Sequence, residues 1–343
     1  MDCFYAAVHM RDDPSLQGLP VVIGGSPQGR GVVAAASYEA REYGIRSAMP
    51  AAQAVRRCPH AVFIKPEFSR YRDESKLIFA IFREITPVIQ PASLDEAYLD
   101  VTEHLGDHGS ATAVAQEIRR RVRAERDLTV SVGVGPNRLV AKIASDYDKP
   151  DGLTVVPPHR VQAFLDPLPV RALHGVGPAT EKALGALGIS TVLELRQIEA
   201  DVLTKRFGRH GGVLYRYARG EDDRPVRTSR ERKSLGHERT YAEDIRSLEA
   251  MDHELERLAG MVADGLSERG IAARTITVKV RYPDFTTLTR ARSLPFPTAQ
   301  AERITQLARE LLRVTEAGER GVRLLGVTGS GLSAGGAEQL MLF

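Results

Sequence analysis

Hydrophobic and polar positions alternate most regularly in the last third of the chain, in the stretch "RTITVKVRY" (274–282). The apolar set is Ile276, Val278, Val280 and Tyr282, and the polar set is Thr275, Thr277, Lys279 and Arg281. Successive side chains of a strand point to opposite faces. The alternation therefore predicts a strand with one core face and one face of hydroxyls and cations.

The segments on both sides of this strand complete a small unit. Apolar residues recur there every three or four positions, which predicts two amphipathic helices. They are Leu248, Met251, Leu255, Leu258, Val262 and Leu266 in the first helix, and Ile304, Leu307 and Leu311 in the second. We predict further strands at 235–241, on each side of 282–284 and at "VRLLGV". The predicted order from 234 to 330 is therefore β-α-β-β-α-β.

The first half of the chain mixes the two periods, as is typical of an α/β domain. Helical spacing over 73–86 and 111–125 is interleaved with "PASLDEAYLD" (91–100) and "LTVSVGVG" (128–135), which we interpret as strands. We expect a compact α/β domain over about 66–157. The first sixty residues hold shorter apolar runs between glycines and prolines, and they predict a smaller, loop-rich α/β unit.

Residues 158–222 have a different, helical pattern centred on "HGVGPATEKALGALGI". The Gly175-x-Gly177 turn is predicted to separate two short helical stretches. Such a hairpin exposes backbone N–H groups at the start of its second helix, where the helix dipole also favours an anion. The turn is either a grip on a nucleic-acid phosphate or a tight connection without a ligand.

Composition narrows the class of protein. No apolar run reaches the roughly 18 residues that a membrane span needs, and we expect no signal peptide. Cys3 and Cys58 are far apart and lack metal-ligand spacing, so we expect a reducing, cytoplasmic location without disulfides or zinc. The net charge is only +3, with a pI of about 8.8.

The distribution of charge is more informative than its total. One short stretch concentrates cations: Arg224, Arg227, Arg230, Arg232, Lys233 and Arg239, opposed by Glu231 and Glu238. It is either a contact for an anionic partner or a solvated linker.

The adjacent carboxylates of Asp95 and Glu96 raise a chemical question, because they lie among apolar residues. Buried carboxylates are costly unless they are paired or hold a metal. The pair is therefore either a site for a hard cation such as Mg²⁺ or the exposed end of a strand.

Five motifs occur in a fixed order: "MDCFYAAV", "ASYEAREYGIRSAMP", "SLDEAYLD", "AKIASDYDKPDGL" and "LHGVGPAT". Over essentially the whole chain they resemble the Y-family DNA polymerases, specifically the bacterial DNA polymerase IV branch. The resemblance implies a right-hand α/β (α+β) polymerase with palm, fingers and helical thumb, plus a βαββαβ little finger. It also implies translesion synthesis in DNA damage tolerance and repair, at low fidelity and without proofreading.

The resemblance assigns roles to individual residues. It makes Asp95 a metal ligand and Glu96 the catalytic carboxylate beside it, for two Mg²⁺ ions. Tyr5 matches the residue that excludes a ribose 2′-hydroxyl, and Tyr38, Arg41 and Lys149 match contacts to the nucleotide triphosphate. The expected DNA-binding residues are Gly175, Gly177, Lys233, Arg239, Lys279 and Arg281.

One departure from the family pattern concerns the metal site. Relatives carry a strand that ends in a ligand Asp directly before the residue that matches Met1, and Asp2 does not stand in register with that Asp. We interpret this as an N-terminal truncation that leaves only the backbone carbonyl of Met1 near the metal. The alternative function is therefore a catalytically impaired, clamp-tethered DNA-binding protein.

The resemblance also predicts the domains and partners. Palm residues are expected at 1–2 and 66–157, fingers at 3–65, thumb at 158–222, a basic linker at 223–233, the little finger at 234–330 and a flexible tail at 331–343. The tail "QLMLF" resembles a motif that binds the sliding clamp through Gln339, Leu340, Leu342 and Phe343. Its alternative is a terminus folded back on the core. Other expected partners are primer–template DNA and deoxynucleoside triphosphates, bound by a monomer.

Overall fold

Two structural units make up the part of the chain that the computed structural model describes, residues 1–229 and 231–334. The first consists of Met1–Ser26 and Val32–Ser229, and the second of Pro27–Gly31 with residues 231–334. Each unit has cores of its own.

The N-terminal part of the first unit is a three-stranded sheet of order β2-β1-β3 with short helices. Its elements are α1 (Phe4–Asp12), β1 (Val21–Gly24), β2 (Val33–Ala36), α2 (Tyr38–Glu42), α3 (Ala51–Arg57) and β3 (Val62–Ile64). Strand β1 is buried along its whole length, because β2 pairs with it antiparallel and β3 pairs with it parallel. This is the loop-rich α/β unit that the sequence predicts.

The next part of the chain has two long helices and two small two-stranded sheets. Its elements are α4 (Phe68–Ile85), β4 (Ile89–Pro91), β5 (Ala97–Leu99), α5 (Ala111–Arg126), β6 (Val132–Val134), α6 (Arg138–Tyr147) and β7 (Leu153–Val155). Strands β4 and β5 form a hairpin, whereas β6 and β7 pair in parallel. Helix α6 begins where the Asn137 side chain accepts a hydrogen bond from the Val140 N–H, as expected for an N-cap.

Two predicted strands are shorter here than expected. Residues 91–100 do not form one strand, because the backbone turns between Pro91 and Ala97. Of the run 128–135 only Val132–Val134 is a strand, although Leu128 and Val130 are buried. A strand needs a neighbour for its backbone groups. Among the contacts of the described residues, Thr129 has one backbone hydrogen bond, which its carbonyl accepts from the Asp2 N–H.

A glycine permits the close approach of β6 and α6. A Cβ atom at Gly133 would lie 2.1 Å from the carbonyl oxygen of Ala141 and 2.3 Å from the nitrogen of Ser145. The backbone of the strand therefore packs directly on the backbone of the helix.

We expect Gly133→Ala to lower the free energy of unfolding of the first unit by about 3 kcal/mol, since either α6 or β6 has to shift. Thermal and urea unfolding measure this change. Gly212→Ala is the matched control, because Gly212 lies inside a helix of the same unit with no atom near its would-be Cβ. That variant is expected to gain about 0.5–1 kcal/mol. A Gly133→Ala protein as stable as this control would contradict the packing argument.

The last part of the first unit is helical. Its helices are α7 (Val161–Leu165), α8 (Pro178–Gly185), α9 (Val192–Arg196), α10 (Ala200–Phe207) and α11 (Arg209–Ala218). The stretch before the Gly175 turn was predicted as a helix but is only the single 3₁₀ turn Val170–Ala172. Pro169, just before this turn, lacks a backbone N–H and has an extended conformation, which is consistent with the short helical turn.

The second unit has the predicted β-α-β-β-α-β order. Its elements are β8 (Ser234–Ile245), α12 (Leu248–Ser267), β9 (Ile271–Arg281), β10 (Thr287–Thr298), α13 (Ala301–Arg313) and β11 (Val322–Ala334). The sheet order is β10-β9-β11-β8, and all neighbours are antiparallel. Both helices cover one face of the sheet, where Ile276, Val278 and Val280 are buried.

Two features at the ends of this sheet depart from regularity. Residues 331–334, predicted as the start of a flexible tail, belong to β11, because Leu332 to Ala334 pair with Ala273 to Ile271. In the edge strand β10 the pairing shifts register between Ser293 and Thr298, a segment that contains Pro295 and Pro297.

Candidate active site and nucleic-acid surfaces

Asp95 and Glu96 lie at the end of the β4–β5 turn, directly before β5. The Glu96 carbonyl accepts hydrogen bonds from the backbone N–H groups of Ala92 and Ser93, at 2.8 and 3.2 Å. Asp95 Oδ1 accepts a hydrogen bond of 2.7 Å from the Ser93 hydroxyl. The backbone therefore fixes the turn, and both carboxylates remain partly exposed rather than buried.

A row of alternating charges runs from Glu96 to the end of α6. Lys142 Nζ lies 2.7 Å from Glu96 Oε1 and 3.0 Å from Asp146 Oδ2. Lys149 Nζ lies 3.2 Å from the other oxygen of Asp146, Oδ1. We call these four side chains (Glu96, Lys142, Asp146 and Lys149) the charge row.

Two members of the charge row, Lys142 and Asp146, have pKa values shifted in favour of their charged forms. Burial lowers the pKa of Lys142, but its hydrogen bond to Glu96 and the charges of Asp146 and Glu96 raise it above the ordinary value overall. Burial raises the pKa of Asp146, but the two lysines hold it below its usual value. Sequence reasoning missed Lys142 and Asp146, although their i,i+4 spacing places them on one face of α6.

The first two residues of the chain are tied to this region. The nitrogen of Met1 donates a hydrogen bond of 2.8 Å to the backbone carbonyl of Asp95. Asp2 is 2% exposed, and its two oxygens accept hydrogen bonds from the Ser131 hydroxyl and the Asp151 N–H, at 2.8 and 2.9 Å. The Asp2 carboxylate is thus engaged in packing the loops together.

The donor atoms at the pair suit a hard cation. Asp95 and Glu96 offer carboxylate oxygens, the ligand type that Mg²⁺ prefers, and both are within reach of solvent. Within residues 1–229 and 231–334 no group of three or more His, Cys, Asp or Glu side chains is gathered as for a metal. Asp95 and Glu96 thus offer two carboxylate ligands for a metal. The expected role of the Met1 carbonyl as a further ligand stays a prediction.

Tyr5 lies on α1 in a group of aromatic rings. Its ring stacks on Tyr71 with a centroid distance of 4.2 Å and an interplanar angle of 13°, and Phe68 meets it edge-on at 6.0 Å. Tyr71 is fully buried, and its hydroxyl lies 2.8 Å from His9 Nε2. Burial and the nearby charge of Asp95 raise the pKa of Tyr5. The stack fixes the Tyr5 ring near the carboxylate pair, and sequence reasoning missed Tyr71.

Tyr38 and Arg41 share a face of α2, as their spacing predicts. The Arg41 guanidinium lies 4.6 Å above the centre of the Tyr38 ring, and its Nε donates to the Ala36 carbonyl. The Tyr38 hydroxyl is 3.5 Å from Asp2 Oδ1. Burial and the charge of Asp2 raise the pKa of Tyr38 to about 12, so the hydroxyl stays protonated at neutral pH.

The Gly175-x-Gly177 turn leads into α8 as expected. Gly175 has a φ of +94°, which favours glycine, and Gly177 is the N-cap residue of α8. No side chain caps α8, and Pro178 occupies its first turn. Backbone N–H groups at the start of α8 are thus left for solvent or for a ligand.

In the second unit, the predicted cations fall on different faces. Lys279 and Arg281 lie on the open face of the sheet, where Lys279 Nζ is 2.7 Å from Glu238 Oε2. Arg239 pairs in register with the buried Leu325 and so lies on the opposite, helix-covered side, at the sheet edge. Lys233 is exposed just before β8. The residues Gln339, Leu340, Leu342 and Phe343 lie outside the described residues.

Comparison with known proteins shows which families and relatives this chain matches. The impB/mucB/samB family matches residues 1–146, its C-terminal domain matches 232–342, and the thumb domain of DNA polymerase-iota matches 171–222. A DNA polymerase IV of Halorhodospira halophila is 55% identical, with 99% of this chain and 95% of that protein covered. A DNA polymerase IV of Alkalilimnicola ehrlichii is 51% identical, with 100% and 97% covered.

The solved structures that superimpose on this chain are also structures of DNA polymerases. A Y-family DNA polymerase chimera superimposes with a TM-score of 0.87 at 28% identity, with 96% of each chain covered. The insertion ternary complex of Dbh DNA polymerase gives a TM-score of 0.66 at 28% identity, again with 96% of each chain covered.

The fold and these matches define a DNA-directed DNA polymerase, built as a right hand with an additional little finger. The chain belongs to the Y-family of DNA polymerases, in the DNA polymerase IV branch. The predicted family and fold class are thereby confirmed. The roles of individual residues and the predicted domain boundaries stay predictions. In the described residues, no helix is both long and apolar enough to cross a membrane.

Proposed function

We propose that the chain carries out translesion synthesis, adding deoxynucleotides to a primer 3′-hydroxyl at low fidelity and without proofreading. The observation that carries this proposal is the partly exposed Asp95–Glu96 pair beside the stacked Tyr5 ring, in a chain 55% identical to a DNA polymerase IV. Primer extension past an abasic site tests it. A protein that binds primer–template but extends neither damaged nor intact template would refute it.

Asp95 and Glu96 would hold Mg²⁺, for which we propose two ions, together with the Met1 carbonyl. When bound, Mg²⁺ supplies Lewis-acid activation of the attacking hydroxyl and charge neutralisation of the departing pyrophosphate. Around it, Arg41 and Lys149 bind the triphosphate oxygens, to which Tyr38 donates its hydroxyl hydrogen. The Tyr5 ring closes the volume that a ribose 2′-hydroxyl would need.

Most of the affinity for DNA would come from contacts to its phosphates, made by residues other than Asp95 and Glu96. The uncapped N–H groups at the start of α8, after the Gly175–Gly177 turn, favour an anion. In the second unit, Lys279 and Arg281 on the open face of the sheet and the exposed Lys233 supply cations, and Arg239 supplies one on the opposite face. We propose that the protein works as a monomer in the cytoplasm.

A second candidate function is a catalytically impaired, clamp-tethered DNA-binding protein. It is favoured by one observation, that the described residues gather two carboxylates and no third at the proposed metal site. Single-turnover insertion with Mg²⁺ separates the two functions, because only the polymerase forms an extended primer.

The proposed clamp contact gives a separate prediction. Deleting residues 339–343 is expected to remove stimulation by the sliding clamp and leave extension of short primers unchanged, since these residues follow β11, the last strand of the described residues. Extension with and without clamp, on a long template, measures the effect. Clamp binding of equal affinity in the deleted protein would place the contact elsewhere.

A further inference from the structure

Asp146 is the shared partner of two lysines with different surroundings. Its Oδ2 holds Lys142, which also bonds to Glu96, and its Oδ1 holds Lys149. The Asp146 side chain is half exposed, whereas those of Lys142 and Lys149 are about one-quarter exposed. The carboxylate therefore joins two ammonium groups whose side chains are less exposed than its own.

Lys149 lies beyond the end of α6, so its side chain needs a partner that holds it in place. Lys149 follows the last helical residue of α6, Tyr147, so the helix does not fix its backbone. A lysine side chain has a long flexible stem that samples many rotamers unless its ammonium is held. Among the described contacts of Lys149, the ion pair with Asp146 is the one that holds the ammonium.

Lys142 presents the opposite problem. With Asp146 present, its ammonium is divided between two carboxylates, Glu96 and Asp146. Without Asp146, its positive charge would fall on Glu96 alone and compete with any cation for that carboxylate.

We propose that Asp146 is a positioning residue for the incoming nucleotide and its metal, acting through Lys149 and Lys142. This inference rests on the proposed function, which assigns Lys149 to the triphosphate and Glu96 to the metal. The Asp146 carboxylate holds the Lys149 ammonium in position. It also shares the Lys142 ammonium with Glu96, so that Lys142 interacts less strongly with Glu96.

Coulomb attraction alone predicts the opposite change in nucleotide affinity, so an experiment can separate the two explanations. Removing the Asp146 charge leaves the charge row one unit more positive, and Coulomb attraction alone would then tighten the binding of a triphosphate. Positioning predicts weaker binding instead. The direction of the change in nucleotide affinity therefore separates the two effects.

The test compares D146N with D73N. Asp73 and Lys76 form an ion pair of 2.7 Å at the same i,i+3 spacing as Asp146 and Lys149, but on the exposed face of α4. Single-turnover insertion over a range of nucleotide concentrations gives the Kd for the nucleotide and the maximal rate separately. We expect D146N to raise the Kd about tenfold, the effect of losing a charge-assisted hydrogen bond, and D73N to leave it unchanged. Affinity for primer–template, measured by fluorescence anisotropy, is expected to be the same in both.

A second readout needs no turnover. Acetylation by an N-hydroxysuccinimide ester, followed by mass spectrometry, reports how freely each lysine reacts. D146N is expected to speed the reaction of Lys142 and Lys149 severalfold, whereas D73N speeds that of Lys76 alone. D146E, which keeps the charge, is expected to restore slow reaction. D146N is expected to raise the nucleotide Kd of K149A by less than it raises that of the parent, because only the part that acts through Lys142 remains.

The outcomes distinguish the two proposals. Nucleotide binding in D146N as tight as in the parent, or tighter, overturns the positioning role, as do unchanged reaction rates of Lys142 and Lys149. A parent protein that does not extend primers overturns the proposed function, and the lysine reactivities then still decide whether Asp146 holds both ammonium groups.

Discussion

Glu96→Ala is expected to lower the rate of nucleotide insertion by about 10³-fold or more, because it removes a ligand that acts on the charge of the transition state. Affinity for DNA is expected to stay within a few-fold, since that affinity arises from phosphate contacts elsewhere. The turn itself is not expected to move, because its hydrogen bonds involve the backbone carbonyl of Glu96 and not its carboxylate. Single-turnover insertion and fluorescence anisotropy measure the two quantities.

Glu117→Ala provides the control for Glu96. Glu117 lies on α5 and forms an exposed ion pair with Arg120, so its loss changes the net charge equally without touching the proposed site. Lys142 keeps Asp146 as a partner in the Glu96 variant, which limits any local rearrangement. Insertion by Glu96→Ala at the rate of the Glu117 variant would show that the catalytic assignment is wrong.

Tyr5→Ala is expected to raise ribonucleotide insertion relative to deoxynucleotide insertion by about 100-fold. The reason is steric, because removal of the ring opens the volume in which a 2′-hydroxyl would clash. Deoxynucleotide insertion is expected to change little, since Tyr5 offers a surface and holds no reacting group. Insertion efficiencies for matched ribo- and deoxynucleotides in one primer–template give the ratio.

Tyr5→Phe separates the ring from its hydroxyl. Its ring can keep the stack on Tyr71 at the 4.2 Å spacing, so we expect it to exclude ribonucleotides as well as the parent does. Were Tyr5→Ala to discriminate as strongly as Tyr5→Phe, another group would have to select the sugar.

Long, regular elements could be predicted from sequence because their patterns are local. The alternation at Ile276, Val278 and Val280 and the helical spacing of α12 and α13 each report one buried face. The three-residue strands β5 and β6 were overextended in prediction. Their ends depend on which neighbouring segment satisfies the backbone, as at Thr129, and that information lies far along the chain.

The sequence predicted which residues form the site better than it predicted how they are arranged. Asp95 and Glu96 stand out because adjacent carboxylates in an apolar run are uncommon, and motif order suggested the roles of Tyr5, Tyr38, Arg41 and Lys149. The link between Glu96 and Lys142 spans 46 positions and depends on where α6 packs against β6. No local pattern encodes that distance, so the charge row became visible only in the folded chain.

The irregular edge strand β10 has a consequence for how the protein behaves at high concentration. A long edge strand presents unpaired backbone groups with which a strand of another chain can pair, and this is a common start of aggregation. In β10, Pro295 and Pro297 have no N–H to donate, and the shift in register between Ser293 and Thr298 bends the ladder there. Arg290 adds a positive charge that repels a second copy of the same edge, whereas Arg292 is paired with Glu310. The strand thus carries its own protection against edge-to-edge aggregation.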